Sequence, residues 1–443
     1  MTGVPIMILQ LLLSLSFLVI IHECGHFFPA KWFKTRVEKF YLFFDPYFSL
    51  FKKQKGETEY GIGWLPLGGY VKIAGMVDES FDTEKLKEEP KPWEFRSKPA
   101  WQRLIIMLGG VTVNFIAGFL LFALVLGIWG EDYIPMASVK DGIYTDSLAF
   151  AMGLRDGDII TKIGEKDFPN LDPRIIRKEI VINGANSITV QRGGVIQKID
   201  IDKHFINDLS SHKYKDAAIV GPRVTMTIDS FGANSPARMA GVQKGDKLLS
   251  INSLPAKYAH EYIKIKKFKS SDSITLRLSR NLEEKEIKFT ANPDGTMGIY
   301  LGKDLKIEKR KFGFFESIPA GITKGLGFLS DQVKGFGQMF KGKVKASESL
   351  GGFASITSLF PDQWHWEDFI RITAVLSLIL GFMNLLPIPG LDGGHVIFLL
   401  FEMITGKKLS DKFVEKATMV GFILLIALMI YANGLDVFRF LKK

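Results

Sequence analysis

Charged side chains are absent from four long stretches of this 443-residue chain: Met1 to Ile21, Leu104 to Gly130, Ile372 to Leu391 and Ala417 to Leu435. At 1.5 Å of rise per residue, a helix through each would cross a hydrocarbon core about 30 Å thick. The pattern therefore predicts four transmembrane helices, at about 4–27, 103–129, 370–391 and 415–435. The first has no basic residue ahead of it and no small-x-small cleavage site behind it, so it reads as a retained span. Glu57 to Ala74 has a different texture. Its β-branched and aromatic residues are broken by glycines and by Leu65-Pro66-Leu67, and no charge falls between Tyr60 and Val71. This predicts a membrane-associated β-hairpin at about 57–75, with Gly68, Gly69, Tyr70 and Val71 able to pair with an extended peptide.

The polar middle repeats itself. Ser147, Ala149, Gly153, Gly157, Asp158 and Ile163 recur as Ser235, Ala237, Gly241, Gly245, Asp246 and Ile251, each displaced by 88 residues. The shared pattern reads as a short helix closed by glycine, a Gly-Asp turn and a strand. Strand-like runs follow in both copies, Ser187–Gln191 and Val195–Ile201 in the first, Ser273–Leu278 and Glu286–Thr290 in the second. Two β-rich domains are expected, at 131–213 and 214–305. An amphipathic juxtamembrane segment follows at 306–350, with membrane parts at 1–130 and 351–443.

Charge adds orientation. Lys31, Lys34, Arg36 and Lys39 follow the first window, Arg96, Lys98 and Arg103 precede the second, and Lys407, Lys408, Lys412 and Lys416 separate the last two. Basic flanks mark the cytoplasmic side, so both termini and the repeated domains are expected to be extracytoplasmic. The net charge of +10 is spread over loops without interleaved aromatics, which fits lipid headgroups as partners and not nucleic acid. Cys24 is the only cysteine, so no intrachain disulfide forms.

That cysteine lies in the first candidate chemistry, Ile21-His22-Glu23-Cys24-Gly25-His26. Residues i and i+4 share a helix face, so His22 and His26 can offer two imidazoles to one zinc ion. Glu23 sits about 100° round the helix, close enough to act on a water without binding metal. Cys24 points off the ligand face and reads as a packing residue. A catalytic zinc needs a third protein ligand. The end of the third window, Gly381-Phe-Met-Asn384-Leu-Leu-Pro387-Ile-Pro389-Gly-Leu-Asp392-Gly-Gly-His395, supplies Asp392 as the best candidate and His395 as a competitor.

His-Glu-x-x-His ending the first span, Asn-x-x-Pro-x-Pro-x-x-Asp-Gly ending the third and tandem PDZ-like repeats between the second and third resemble the site-2 protease family of intramembrane zinc metalloproteases. Within it, the chain is most similar to the bacterial RseP-type branch. The resemblance implies one Zn2+ per chain on His22, His26 and Asp392, with Glu23 as catalytic base and Asn384 bonding a substrate carbonyl or the oxyanion. Gly110 and Asn114 match the family's G-x-x-x-N element. The resemblance also implies a bacterial inner-membrane protein with its site near the cytoplasmic side. Its substrates would be single-pass membrane proteins of the anti-sigma factor type, cut after a first protease has acted, and signal-peptide remnants. The PDZ-like domains would bind peptide ends or exclude bulky substrates. The rival reading is a non-catalytic membrane PDZ receptor or scaffold with a structural metal, for which Glu23 would have no use.

Overall fold

The computed structural model describes residues 3–66, 68–76, 89–211, 214, 218–265, 268–345, 347 and 350–441. The chain divides into two compact units, one of Met1–Gly130, Lys311–Val333 and Leu350–Lys443, the other of Glu131–Arg310 and Lys334–Ser349.

In the first unit, helix α1 (Val4–Trp32) opens with a proline in its first turn and runs five residues beyond the expected end of the span, past both histidines. A four-stranded sheet follows: β1 (Val37–Leu42), β2 (Phe44–Lys55), β3 (Thr58–Leu65) and β4 (Tyr70–Ile73), in the order β2-β3-β1-β4. The hairpin expected at 57–75 therefore does not form: its two strands, β3 and β4, are separated by β1, which pairs with both. β3 lies parallel to β1, with Phe40 opposite Tyr60, and β4 lies antiparallel on the other side, with Phe40 opposite Val71. Val37, Val71 and Ile73 turn inward against Ala30, Ile106, Met107, Val396 and Leu399, which seats the sheet on the helices that carry the site. β4 is an edge strand, open on the side away from β1.

Helix α2 (Ala100–Trp129) crosses α1 where both lack side chains. A Cβ on Gly25 would fall 2.4 Å from the Gly109 carbonyl oxygen, and one on Gly109 would fall 1.9 Å from that of Gly25. Helix α3 (Phe314–Phe340) lays a small-residue face on α2, with Gly321 against Ala123 and Gly325 against Phe119. Helix α4 (Trp366–Asn384) then departs from expectation. The charge-free window Ile372 to Leu391 does not form one helix, because Pro387 and Pro389 cannot donate backbone hydrogen bonds and Gly390 turns to a φ of +97°. The chain restarts as α5 (Asp392–Thr405) and ends in α6 (Asp411–Leu441). Among the described residues, α1, α2 and α6 are the three helices long and apolar enough to cross a membrane. In α4, Glu367, Asp368 and Arg371 shorten the apolar run.

The second unit holds two β modules, each with its own core, and three strands of each correspond at the 88-residue offset. Strands Ile159–Ile163, Ser187–Arg192 and Val195–Asp200 of the first correspond to Lys247–Ile251, Ser273–Arg280 and Glu283–Thr290 of the second. Gly153 and Gly241 both have φ of +100°, and Gly157 and Gly245 have +93° and +92°, which is why these repeated positions are glycine. The hairpin turns also match by the same offset. Gly193-Gly194 and Asn281-Leu282 all take positive φ, the two-residue turn that suits the twist of paired strands. Ile219 and Val220 join the first core, beyond the expected boundary at 213, a residue that lies outside the described ones.

Candidate active site

One turn of α1 sets His22 Nε2 and His26 Nε2 3.2 Å apart. Asp392 opens α5, and its Oδ2 lies 3.4 Å from each of those nitrogens. Gly393 and Gly394 allow this. A Cβ on the first would meet the Leu386 carbonyl oxygen at 2.3 Å and one on the second the Ile388 oxygen at 2.6 Å, so the Leu385–Leu391 loop folds down on the first turn of α5. From outside, Gly421 of α6 lets that helix touch Pro389, since a Cβ there would overlap the proline carbonyl. On the far side, an ion pair between Arg103 and Glu402 ties α5 to α2.

Three buried donor atoms at 3.2, 3.4 and 3.4 Å make an almost equilateral triangle. Ligands about 2.0–2.1 Å from a tetrahedral zinc are separated by roughly 3.3 Å, so the triangle fits three corners of one zinc tetrahedron and leaves the fourth open. Asp392 Oδ2 has no hydrogen-bond donor although it is buried, which without a cation would be costly. Among the described residues, His22, His26 and Asp392 are the one cluster of His, Cys, Asp and Glu whose ligand atoms converge in this way. His395, the competing third ligand, is not in it; one turn further along α5, its ring packs against Phe398. Cys24 is not in it either.

Glu23 is 9% exposed, within electrostatic reach of both histidines and Asp392, and it faces the backbone N–H of Val71. The Ala74 N–H bonds across to Arg36 on the β1 side, so by strand alternation the Val71 N–H points to the open edge of β4. Sequence reasoning placed Gly68 to Val71 near the pentad, and the structure brings Val71 to Glu23. Asn384, the last residue of α4, has its Nδ2 3.4 Å from His22 Nε2.

The sequence marks Gly110 and Asn114 as a family element but does not place them, with Ile106, on the face of α2 behind the ligands. Ile106, Gly110 and Asn114 follow one another at four-residue spacing. The Ile106 carbonyl accepts from His26 Nδ1 at 2.8 Å, and the Asn114 amide lies 3.0 Å from His22 Nδ1. Gly110 leaves room between them; its Cβ would stand 2.4 Å from His26 Nε2 and 2.8 Å from His22 Cε1. Gly109 serves close helix packing, whereas Gly110 makes space for the imidazoles. The four-residue spacing with apolar neighbours was the available signal.

The model of peptidase family M50 matches residues 10–428. The chain belongs to that family. It is a metalloprotease, and the relatives of this M50 chain extend over its whole length. A Borreliella burgdorferi protein provisionally named a zinc metalloprotease is 28% identical over 98% of this chain and 98% of its own. The Haemophilus influenzae regulator of sigma E protease is 28% identical over 97% and 98%. The Escherichia coli regulator of sigma-E protease RseP is 27% identical over 94% and 95%. Together with its apolar helices, these likenesses make the M50 chain a zinc-dependent protease of the membrane.

Proposed function

We propose that this protein hydrolyses a peptide bond within or beside the membrane helix of single-pass proteins, using one zinc ion held by His22, His26 and Asp392. The observation that carries the proposal is the convergence of three buried ligand atoms on one point, with Glu23 beside them. When bound, zinc supplies Lewis acidity toward a water and toward the scissile carbonyl oxygen. Glu23 accepts the proton that the attacking water loses and delivers it to the amide nitrogen as the C–N bond breaks. Asn384, whose Nδ2 lies 3.4 Å from His22 Nε2, donates its amide N–H to the carbonyl oxygen as charge develops there.

A helical substrate must unwind before its carbonyl can be attacked, and its freed backbone groups then need partners where water is scarce. The open edge of β4, Tyr70 to Ile73 approached through Gly68 and Gly69, meets that need by strand addition. The two β modules act as PDZ-like domains that take peptide ends or turn away bulky outer domains. This suits substrates of the anti-sigma factor type already trimmed by another protease, as well as signal-peptide remnants, and it accords with the names of the sigma-E relatives. We assign α4 as a fourth, shorter span and place the protein in a bacterial inner membrane. The basic flanks then put the termini and the modules outside and the zinc site toward the cytoplasm. The non-catalytic scaffold reading loses to family membership together with the retained Glu23.

The test is cleavage of a model transmembrane substrate by the purified protein, with and without a chelator, beside Glu23→Gln. Cleavage that the chelator abolishes and the variant lacks is expected. Cleavage indifferent to both would overturn the proposal.

A further inference from the structure

A metal-binding imidazole must turn an unprotonated nitrogen to the ion, so its other nitrogen has to carry the proton and needs an acceptor. For His26 that acceptor is a fixed backbone group, the Ile106 carbonyl at 2.8 Å. His22 has no such carbonyl. Its Nδ1 faces the side-chain amide of Asn114, 3.0 Å away, on a residue with no solvent exposure. The two ends of an amide are told apart by their hydrogen bonds. As placed, Nδ2 faces His22, where it would donate to Nδ1 and force the proton onto Nε2, the atom turned toward His26 and Asp392. The opposite amide rotamer puts Oδ1 at that place. With Nδ2 toward His22, Oδ1 is buried without a hydrogen-bond partner, so no bond to Oδ1 holds the amide in that rotamer.

We propose that Asn114 is a positioning residue for the zinc ligand His22: its Oδ1 accepts the Nδ1–H, holding the ring so that Nε2 faces the ligand position unprotonated. The inference rests on the reading of His22, His26 and Asp392 as the zinc site. It gives α2 a second duty beside packing, in which Ile106 and Asn114, two turns apart, set the two rings and Gly110 between them leaves the space they occupy. The backbone of Asn114 does a separate job, since its carbonyl accepts from the buried Ser377 hydroxyl of α4 at 2.7 Å. Exchanging the side chain leaves that link intact.

The experiment measures zinc affinity of the full-length detergent-purified protein by competition with a chromophoric chelator. Asn114→Leu, similar in size but unable to accept, should bind zinc about 10- to 100-fold more weakly, whereas Asn114→Asp, which keeps an oxygen, should stay within about threefold of the parent. In the cobalt-substituted protein, the visible bands should shift in Asn114→Leu and hold in Asn114→Asp. A purely packing role predicts neither the rescue by Asp nor the spectral shift. Should the leucine variant fail to fold, Asn114→Ala, which leaves a cavity and no clash, serves in its place. Affinity within about twofold of the parent in the leucine or alanine variant, or equal weakness in Asn114→Asp, would overturn the inference. A parent protein whose zinc binding survives His22→Ala would instead strike the zinc-site reading itself.

Discussion

Asp158 and Asp246, in the paired β modules, are 0% and 1% exposed, and each is saturated with donors. Asp158 takes two bonds from Arg192, at 2.7 and 2.8 Å, and a third from the backbone N–H of Arg155. Eighty-eight residues on, Asp246 takes two at 2.7 Å from Arg280 and one from the N–H of Gln243. In both arginines Nη2 also repeats a second bond, to the carbonyls of Gly153 and Gly241. The two acids of the candidate site are treated differently. Asp392 Oδ2 has no donor, and Glu23 has one backbone N–H opposite it. Burial is common to all four, so burial does not separate the sets. A saturated acid has its charge fully matched and can only hold structure, whereas an acid left short of donors is suited to a cation or a proton in transit.

The most severe test of that contrast is Glu23→Gln. The amide keeps the size and cannot accept a proton, so cleavage should fall by about 100- to 10,000-fold with zinc content unchanged. Equal turnover would remove Glu23 from the chemistry. Next in size is Asp392→Asn, expected to weaken zinc binding by more than about 100-fold, since a ligand should count for more than the groups behind it. Metal analysis after dialysis measures it. Full occupancy in that variant, with loss in His395→Ala, would mean that the short-handed acid is not the ligand.

Glu23 and β4 share a boundary, and there the comparison can be sharpened. Val71→Pro removes the N–H that points to the open edge and should lower cleavage of a helical substrate by about tenfold or more, the equivalent of one hydrogen bond, with zinc retained. Val71→Ile keeps the N–H and should be mild. Cleavage of an already unfolded peptide distinguishes the two possible losses. A defect confined to the helical substrate marks strand addition, and an equal defect on both marks the setting of Glu23.

The saturated and unsaturated acids were unequally legible in the sequence. His22, Glu23 and His26 lie within one helical turn, so local spacing reveals them, and Asp392 stands out as an acid after a long uncharged run. The glycines and aspartates of the repeat were legible because they are close together. Arg192 and Arg280 obey the same 88-residue offset but sit 34 residues beyond their aspartates, outside any contiguous pattern, and only the paired strands bring them back. β1 figures in the sequence only through Lys39, part of the basic flank, and β2 gives no strand signal of its own. Lysines 52, 53 and 55 obscure the alternation of β2, and the parallel pairing of β1 with β3 leaves no hairpin signal to read. The break at Leu385–Leu391 was visible as two prolines, yet the absence of charge carried the expected span straight through it.

The last effect is expected on stability and not on turnover, where saturation is undone in a module. Arg280→Met leaves Asp246 with one backbone donor, and stranding a buried carboxylate should cost about 3 kcal/mol, the low end for breaking a buried pair because the arginine is partly solvated. In the parent, burial pushes the Asp246 carboxyl up, but the hydrogen bonds from Arg280 and from the Gln243 N–H outweigh it and hold the group below its ordinary value. A carboxyl that titrates lower in the folded chain contributes stability that is complete above about pH 4 and is lost as pH falls through the lowered value. Without Arg280, burial dominates and the direction reverses, so the variant favours the protonated acid. The stability gap between parent and variant should therefore be widest at neutral pH and narrow as pH falls through the variant's raised value toward the parent's lowered one. Hydrogen exchange at Leu248, Leu276 and Leu278, core residues of the second module, reads the gap locally, and zinc content should not move. A gap that stays constant with pH would mean that Arg280 acts through packing, and that the saturated acid is held by its shape and not by its charge.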